Sequence, residues 1–395
     1  MSGHRPEVAD VFRSHGAEYL KAWASSTSPA QRRVLRAISL CRTAILGGHK
    51  QRCDQCGHEE ISYNSCRDRH CPKCQGPARA RWLDAREKDL LDVPYFHVVF
   101  TLPEKLSHLA LQNKRLIYNL LFRTVSETLL TIARDPKHLG AAIGFLAVLH
   151  TWGQNLHHHP HIHCLVPGGG ISPGGDEWVS CPERFLLPVR VLSRFFRKRF
   201  IRHLATAYEN GNLSLHGNLR SLTDPENWQY LLTALKASDW VVYAKPPFGG
   251  PGQVLKYLAS YTHRVAISNR RLLALTDGRV NFQWTDYAHG NRKKVMSLAA
   301  VEFIRRFLIH VLPTGFMHIR YYGFLANRLR DMKLALAREL LARGPSGHTS
   351  PDEVASPTPV DHDNGTCPVC KKGRLVLVET FRRHPGVLPP VFDSS

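Results

Sequence analysis

The run His157-His-His-Pro-His161-Ile-His163 sets two imidazoles on either side of one apolar residue. Side chains at i and i+2 of a strand share a face. A strand here therefore presents His161 and His163 together and turns Ile162 into a core. Two neutral imidazoles can hold a divalent cation and leave coordination positions open for a reacting group. A third protein ligand is expected nearby, with Gln154 and His150 as the candidates; His159 has the right parity but is followed by Pro160. Further along, Tyr257 and Tyr261 stand at i and i+4, one turn apart on a helix face. Such a pair alone more often packs than reacts. Beside a bound cation, however, a tyrosine phenolate is a competent nucleophile toward phosphorus, because the cation polarises the phosphate and stabilises the developing charge. The attack leaves a phosphotyrosine and a free 3′-hydroxyl, and a second tyrosine on the same face could accept a second strand.

Thiols offer a different chemistry. Cys53-Asp-Gln-Cys56 and Cys71-Pro-Lys-Cys74 are two C-x2-C knuckles close in sequence. Each knuckle lets a tight turn aim two thiolates at one ion, so the pair predicts one four-thiolate zinc site built from Cys53, Cys56, Cys71 and Cys74. Cys66 and His70 lie in the same segment and are candidates to replace a ligand or to support one. A third knuckle, Cys367-Pro-Val-Cys370, has no second pair beside it; a second zinc there calls for Cys66 and His70, or His384, as partners. Cys41, Cys164 and Cys181 are single and apolar in context, and read as core residues.

The elements that must carry these groups follow from periodicity. The 395-residue chain is 43% hydrophobic, enough for a sizeable core in two or three domains. Residues 7–49 read as two helices, the second capped by Ser28-Pro29, and a charged helix is expected over 78–91. Strands are expected over 96–102, 143–152 and 161–166, with an amphipathic helix over 114–135 and a turn at 168–170. Helices follow over 184–208, 249–262, 301–312 and 325–343, with a hairpin over 271–284 turning at Asp277-Gly278. Residues 344–366, rich in Gly, Pro, Ser and Asp, read as a flexible linker. Lys plus Arg number 53 against 32 Asp plus Glu, a formal net charge of +21. That excess points to a polyanionic partner, nucleic acid foremost. The longest apolar run is too short to span a membrane, and the first residues carry no apolar leader. No phosphate-loop motif is present, which argues against an appended ATPase or helicase.

Together the segments 63–75, 150–154, 159–170, 257–271, 303–313 and 322–327 resemble the two-tyrosine HUH transposases of rolling-circle insertion sequences, the insertion-sequence ninety-one family. The likeness runs from about residue 20 to 345, and the C-terminal knuckle also fits. It implies an α+β fold: an HUH-type antiparallel sheet flanked by helices, preceded by a helical zinc-binding domain and followed by a helical C-terminal region. The corresponding ranges are 1–92 for the zinc-binding, DNA-binding part and 93–300 for the catalytic part. A basic helical extension over 301–343, the linker over 344–366 and a tail over 367–395 complete the chain. It further implies nicking and rejoining of single-stranded DNA at element ends through 5′-phosphotyrosine intermediates. Tyr257 and Tyr261 would be the nucleophiles. His161, His163 and Gln154 would hold Mg²⁺ or Mn²⁺, and the cysteines structural Zn²⁺. Lys256, Arg264, Arg270 and Arg271 lie near the tyrosines in sequence and are expected to clamp phosphates. The expected partners are single-stranded element ends and target DNA, in a bacterial cytoplasm and without a membrane; the oligomeric state stays open. Two rivals share these features: a replication initiator or relaxase using the same site, and a non-catalytic zinc-containing nucleic-acid-binding regulator.

Overall fold

The computed structural model describes residues 5–182, 186–248, 254, 265–343 and 365–386. Its centre is a five-stranded, wholly antiparallel sheet. In chain order these strands are β3 (Tyr95–Thr101), β4 (Gly144–Trp152), β5 (His158–Pro167), β8 (Val242–Phe248) and β12 (Ile319–Gly323). In space they run β12-β4-β5-β3-β8. Alternation sorts their side chains. Phe96, Val98 and Phe100, then Phe145, Ala147 and Leu149, then Ile162, Cys164 and Val166 all enter one core. Two long helices cover that face, α5 (Lys114–Arg134) with Tyr118, Phe122, Val125 and Leu129, and α6 (Val189–Glu209) with Phe196, Phe200 and Leu204. Helices α4 (Ser107–Gln112) and α7 (Pro225–Ala237) complete the layer. The opposite parity gathers Tyr95, Leu146, Val148, Leu165 and Ile319 into a second, smaller cluster on the other face.

A second core brings distant parts of the chain together. Helix α1 (Val8–Ala22) begins with a reciprocal Glu7–Asp10 cap, and α2 (Pro29–Leu40) with Ser28 and Gln31 capping one another. Their apolar faces, Val8, Phe12, Tyr19, Val34 and Ile38, pack against Phe303, Ile304 and Phe307 of α8 (Ala300–Leu308). Under α8 lies a three-stranded sheet, β9 (Leu272–Thr276), β10 (Arg279–Asp286) and β11 (Arg292–Ala299), which contributes Leu272, Val280 and Phe282. Packing thus crosses the boundaries drawn at 92 and 300 in the sequence.

A third sheet joins the two ends of the chain. Strand β1 (Gly48–Cys53) pairs with β2 (Glu59–Tyr63) on one side and with β13 (Leu375–Phe381) on the other. Two further elements frame the central sheet, α3 (Gln75–Glu87) and α9 (Arg330–Arg343).

Several expectations meet corrections. The turn expected at 168–170 is largely strand: β6 (Gly169–Ile171) pairs with β7 (Trp178–Ser180), and Ile171 also bridges to Ala142. The hairpin turn at Asp277-Gly278 has positive φ at both residues, as a type I′ turn requires, but the hairpin carries β11 as a third strand. The helix expected over 325–343 starts only at Arg330, after the edge strand β12. Residues 344–364 of the expected linker, and the helix expected over 249–262 apart from Val254, lie outside the described residues.

Candidate metal centres and the histidine face

Strand register builds the first site. In the β4–β5 pair His150 stands opposite His161, and Val148 opposite His163. Three imidazoles therefore meet on the face away from α5 and α6, with ring centroids 4.5 Å apart for His150–His163, 4.8 Å for His161–His163 and 5.5 Å for His150–His161. Their ligand nitrogens all lie within 4.8 Å of one another. Trp152 stacks on His150 at 4.6 Å, giving that ring a wall.

Hydrogen bonds at the far ring nitrogens bear on the tautomers. The Nδ1 of His161 sits 2.7 Å from the His159 carbonyl. A carbonyl only accepts, so the proton belongs on Nδ1, and Nε2 is left with a lone pair to offer a cation. The Nδ1 of His163 lies 2.8 Å from Nε2 of His97, which stacks on it from β3. His97 is buried, and burial, with smaller contributions from Lys245 and His161, pushes its pKa down to about 4. A neutral His97 can accept the Nδ1 proton of His163, and that again frees Nε2 for a metal.

The remaining histidines of the run divide by parity. His158 faces the other way, between the Tyr118 hydroxyl at 2.8 Å and Ser107 Oγ at 3.1 Å. Burial pushes its pKa down to about 2, so it serves the core as a neutral ring. Gln154 lies in the β4–β5 turn, where its amide nitrogen donates to the Tyr287 hydroxyl at 3.3 Å. Of the two candidates for third ligand, His150 is the one seen beside His161 and His163. The sequence signal for it was available: in an antiparallel pair the register fixes which residue stands opposite His161.

The guanidinium of Arg271 donates to the Gln154 carbonyl and, at 2.8 Å, to the Gln283 carbonyl, and it lies over the Phe282 ring. It ties the β4–β5 turn to β10, so its donors serve the protein's own backbone before any phosphate. Arg270 beside it is exposed. Tyr257, Tyr261, Lys256 and Arg264 lie outside the described residues. Val254, three residues before Tyr257 in sequence, is buried with Leu146, Val148 and Leu165 on the histidine face.

The cysteines assemble differently from their spacing. Cys53, Cys56, Cys71 and Cys74 do not share a site. Cys71 and Cys74 join Cys66 and Cys41, and Cys53 and Cys56 join Cys367 and Cys370. In the first cluster the sulfurs stand 3.6 Å apart for Cys71–Cys41 and Cys66–Cys74, and 3.7 Å for Cys41–Cys74. In the second the separations are 3.7 Å for Cys53–Cys370 and 3.6 Å for Cys56–Cys367. A tetrahedron with zinc–sulfur bonds of about 2.3 Å has edges of roughly 3.8 Å, whereas a disulfide brings sulfurs to about 2.05 Å. Both clusters fit four thiolates about one zinc ion.

The physical reason for the exchange is the β1–β2 hairpin. It carries the first knuckle away from the second and leaves Cys53 at the end of β1, opposite Leu375 of β13. Cys41, read as a core residue, sits where α2 ends and completes the first cluster. Neither His70 nor His384 is a member: His70 pairs with Asp68 at 3.0 Å and accepts from the Leu312 amide, and His384 bonds to the Pro385 carbonyl. In the first cluster crowding drives the thiols apart. Hydrogen bonds from Cys41, Cys66 and Cys71 hold Cys74 far below the ordinary thiol range, while Cys41, Cys71 and Cys74 push Cys66 far above it. A divalent cation removes that conflict by letting all four ionise. In the second cluster Gly373 is a steric requirement, since a Cβ there would overlap Cys53 Sγ and the Asp54 carboxylate.

These features, a sheet with a three-imidazole face and two four-cysteine clusters, make an α+β protein with candidate metal centres. Residues 144–333 match a family described as "Putative transposase", and residues 11–102 match a family described as "Transposase zinc-binding domain". A putative transposase of Sinorhizobium fredii, y4qJ, is 56% identical over 400 residues, covering 100% of both chains. The transposase for insertion sequence element IS801 of Pseudomonas savastanoi pv. phaseolicola is 29% identical over 316 residues, 78% of this chain and 73% of the relative. No solved structure matches. The chain belongs to the insertion-sequence ninety-one family of transposases, with an N-terminal zinc-binding domain. The zinc-binding match holds every ligand of the first cluster and half of the second; Cys367 and Cys370 lie beyond it. Among the described residues, no helix is long and apolar enough to cross a membrane.

Proposed function

We propose that this transposase nicks and rejoins single-stranded DNA at the ends of its element, in a rolling-circle pathway with 5′-phosphotyrosine intermediates. The observation that carries the reading is the convergence of His150, His161 and His163 on one sheet face, with ligand atoms within 4.8 Å of one another. These three residues would hold Mg²⁺ or Mn²⁺. When bound, such an ion withdraws charge from the scissile phosphate. The chain's own groups do the rest. Tyr257 or Tyr261 attacks the phosphorus through its phenolic oxygen, the bond to the 3′-oxygen breaks, and the proton given up by the phenol is replaced from solvent on the leaving 3′-oxygen, which departs as a free hydroxyl. Rejoining reverses this: a 3′-hydroxyl attacks the phosphotyrosine and restores the tyrosine. Support for placing the tyrosines here comes from Val254, buried on the histidine face a few residues upstream of both.

The test incubates zinc-loaded protein with single-stranded DNA carrying an element end, with and without Mg²⁺. A covalent adduct that needs the metal, and that is lost in Tyr257→Phe/Tyr261→Phe, is the expected result. Folded wild-type protein that gives no adduct on any end-containing strand would overturn the reading and favour a non-catalytic regulator. Equal adduct on a replication-origin strand would favour an initiator or relaxase. His161→Ala and His163→Ala should each abolish the adduct while leaving zinc content and the folded far-ultraviolet signature unchanged.

A further inference from the structure

The edge strand β12 borders a groove that reaches from the histidine face round the sheet edge to α5. In the β4–β12 pair Ile319 stands opposite Val148, and Val148 is itself opposite His163. Two strand spacings, roughly 10 Å, therefore separate the His163 position from the sheet edge. Ile319 and Tyr321 have the same parity and lie in the cluster on that face. Just beyond them is a groove of about 640 Å³, walled by α3, the start of α5, β12 and the start of α9.

Its lining joins two chemistries. Arg86, Arg115, Arg320 and Arg330 supply four guanidinium groups. Asp89 pairs with Arg86 at 2.8 Å and with Arg330 at 3.7 Å, and Asp331 lies 3.7 Å from Arg330, so four positive charges meet two negative. Trp82 and Tyr321 supply aromatic surface, and the Arg330 guanidinium lies 5.6 Å from the centre of the Tyr321 ring. Arg320 is held in place over Phe122 at 4.1 Å and by Asn119 at 2.6 Å. Arg115, by contrast, is exposed and spends one donor on the Thr314 carbonyl. Guanidinium groups interleaved with aromatic rings suit a single nucleic-acid strand, whose phosphates take the charge and whose unpaired bases stack on the rings. Bases inside a duplex cannot reach such rings.

We propose that this groove binds the single-stranded flank of the DNA substrate, with phosphates on Arg86 and Arg115 and a base against Trp82 and Tyr321. The proposal rests on the reading of the histidine face as the nicking site, and its test separates the two. Binding of a fluorescent 20-mer of deoxythymidine to the full zinc-loaded chain is followed by anisotropy at several salt concentrations, beside a duplex of equal length. The double variant Arg86→Gln/Arg115→Gln should bind the single strand about tenfold more weakly, with a salt slope shallower by about 1.4, since each lost phosphate contact removes about 0.7. Trp82→Ala should cost about tenfold and Trp82→Phe, which keeps a stacking face, less than about twofold. Unchanged affinity and slope in variants with wild-type zinc content and melting temperature would overturn the groove. Losses equal on duplex and single strand would overturn its single-strand character. Wild-type protein that forms no covalent adduct, yet binds the 20-mer in a groove-dependent way, would sink the nicking reading and leave the groove standing.

Discussion

The two thiolate clusters have the same ligands and opposite architectures. The first draws its cysteines from residues 41 to 74, and Cys41, Cys66 and Cys71 are buried where the N-terminal helices pack. The second joins Cys56 to Cys367 across 311 residues and leaves Cys56 exposed and Cys370 half-buried. Closing a loop that long instead of the 33 residues between Cys41 and Cys74 costs about 2 kcal/mol more chain entropy. That difference is small beside the roughly 10–16 kcal/mol of apparent binding free energy in structural zinc sites. The distant site is therefore affordable, but its role differs. The first cluster is part of a core; the second is a clasp that returns β13 to β1.

The contrast predicts unequal damage. Cys66→Ser or Cys71→Ser should remove a buried ligand whose neighbours include Cys41 and the core of α1, α2 and α8. Loss of one zinc equivalent and a fall of more than about 10 °C in melting temperature is expected, because metal binding here is folding free energy. Two zinc equivalents and an unchanged melt in either variant would break the comparison at its strongest point.

A milder outcome is expected for Cys370→Ser. One equivalent should again be lost, yet the melt should fall by only about 2–4 °C, since Cys53, Cys56, Cys367 and Cys370 are not among the buried residues of the cores that hold α1, α2 and the central sheet. Hydrogen exchange should rise along β1 and β13 alone, which pair from Gly48–Phe381 to Cys53–Leu375 with one register shift between Lys50 and Gln51. Protection lost throughout the N-terminal helices would show that the clasp is instead integral to the module. Timed exposure to a chelator sharpens the same point. Zinc release should be biphasic, the first equivalent leaving the more exposed second cluster with release of β13; a single phase would deny the difference in access.

How much of this was legible depends on how far each signal reaches along the chain. Strand parity placed His161 and His163 on one face and Ile162 in the core, because alternation is local. The helices over 7–49 and 114–135 were legible for the same reason, their apolar residues recurring each turn. The partition of the cysteines was not, since C-x2-C spacing says which two thiols share a turn and nothing about which turns meet. That meeting is set by the β1–β2 hairpin, whose strands are short, polar and half exposed. β13 was hidden likewise: Val376, Leu377 and Val378 are all exposed, so no amphipathic pattern marks the strand. β12 escaped notice because an edge strand of five residues with two tyrosines and an arginine gives little periodicity. The tyrosine pair remains a reading of sequence alone.

The smallest effect separates the clusters from the buried histidines between the two cores. His310 follows α8 and reaches Thr151 of β4 at 3.2 Å and the Leu156 carbonyl at 3.2 Å, joining the N-terminal core to the central sheet. Burial pushes its pKa down to about 3. An unfolded histidine takes up its proton near pH 6.5, so between there and pH 3 the unfolded chain holds one proton more than the folded one at this residue. Its contribution is thus fully present above about pH 6.5 and is lost as pH falls toward the folded value. His310→Gln removes that term without removing every polar contact. Chemical denaturation at pH 5.5 and 4.5 should show the variant's stability falling less steeply, by at most about 1.4 kcal/mol per pH unit. The zinc content of the variant at each pH should match wild type, because acid acts on the thiolates independently of this ring. A slope unchanged by the substitution would mean that His310 takes up its proton as readily in the folded protein as in the unfolded one, and that acid sensitivity belongs to other groups.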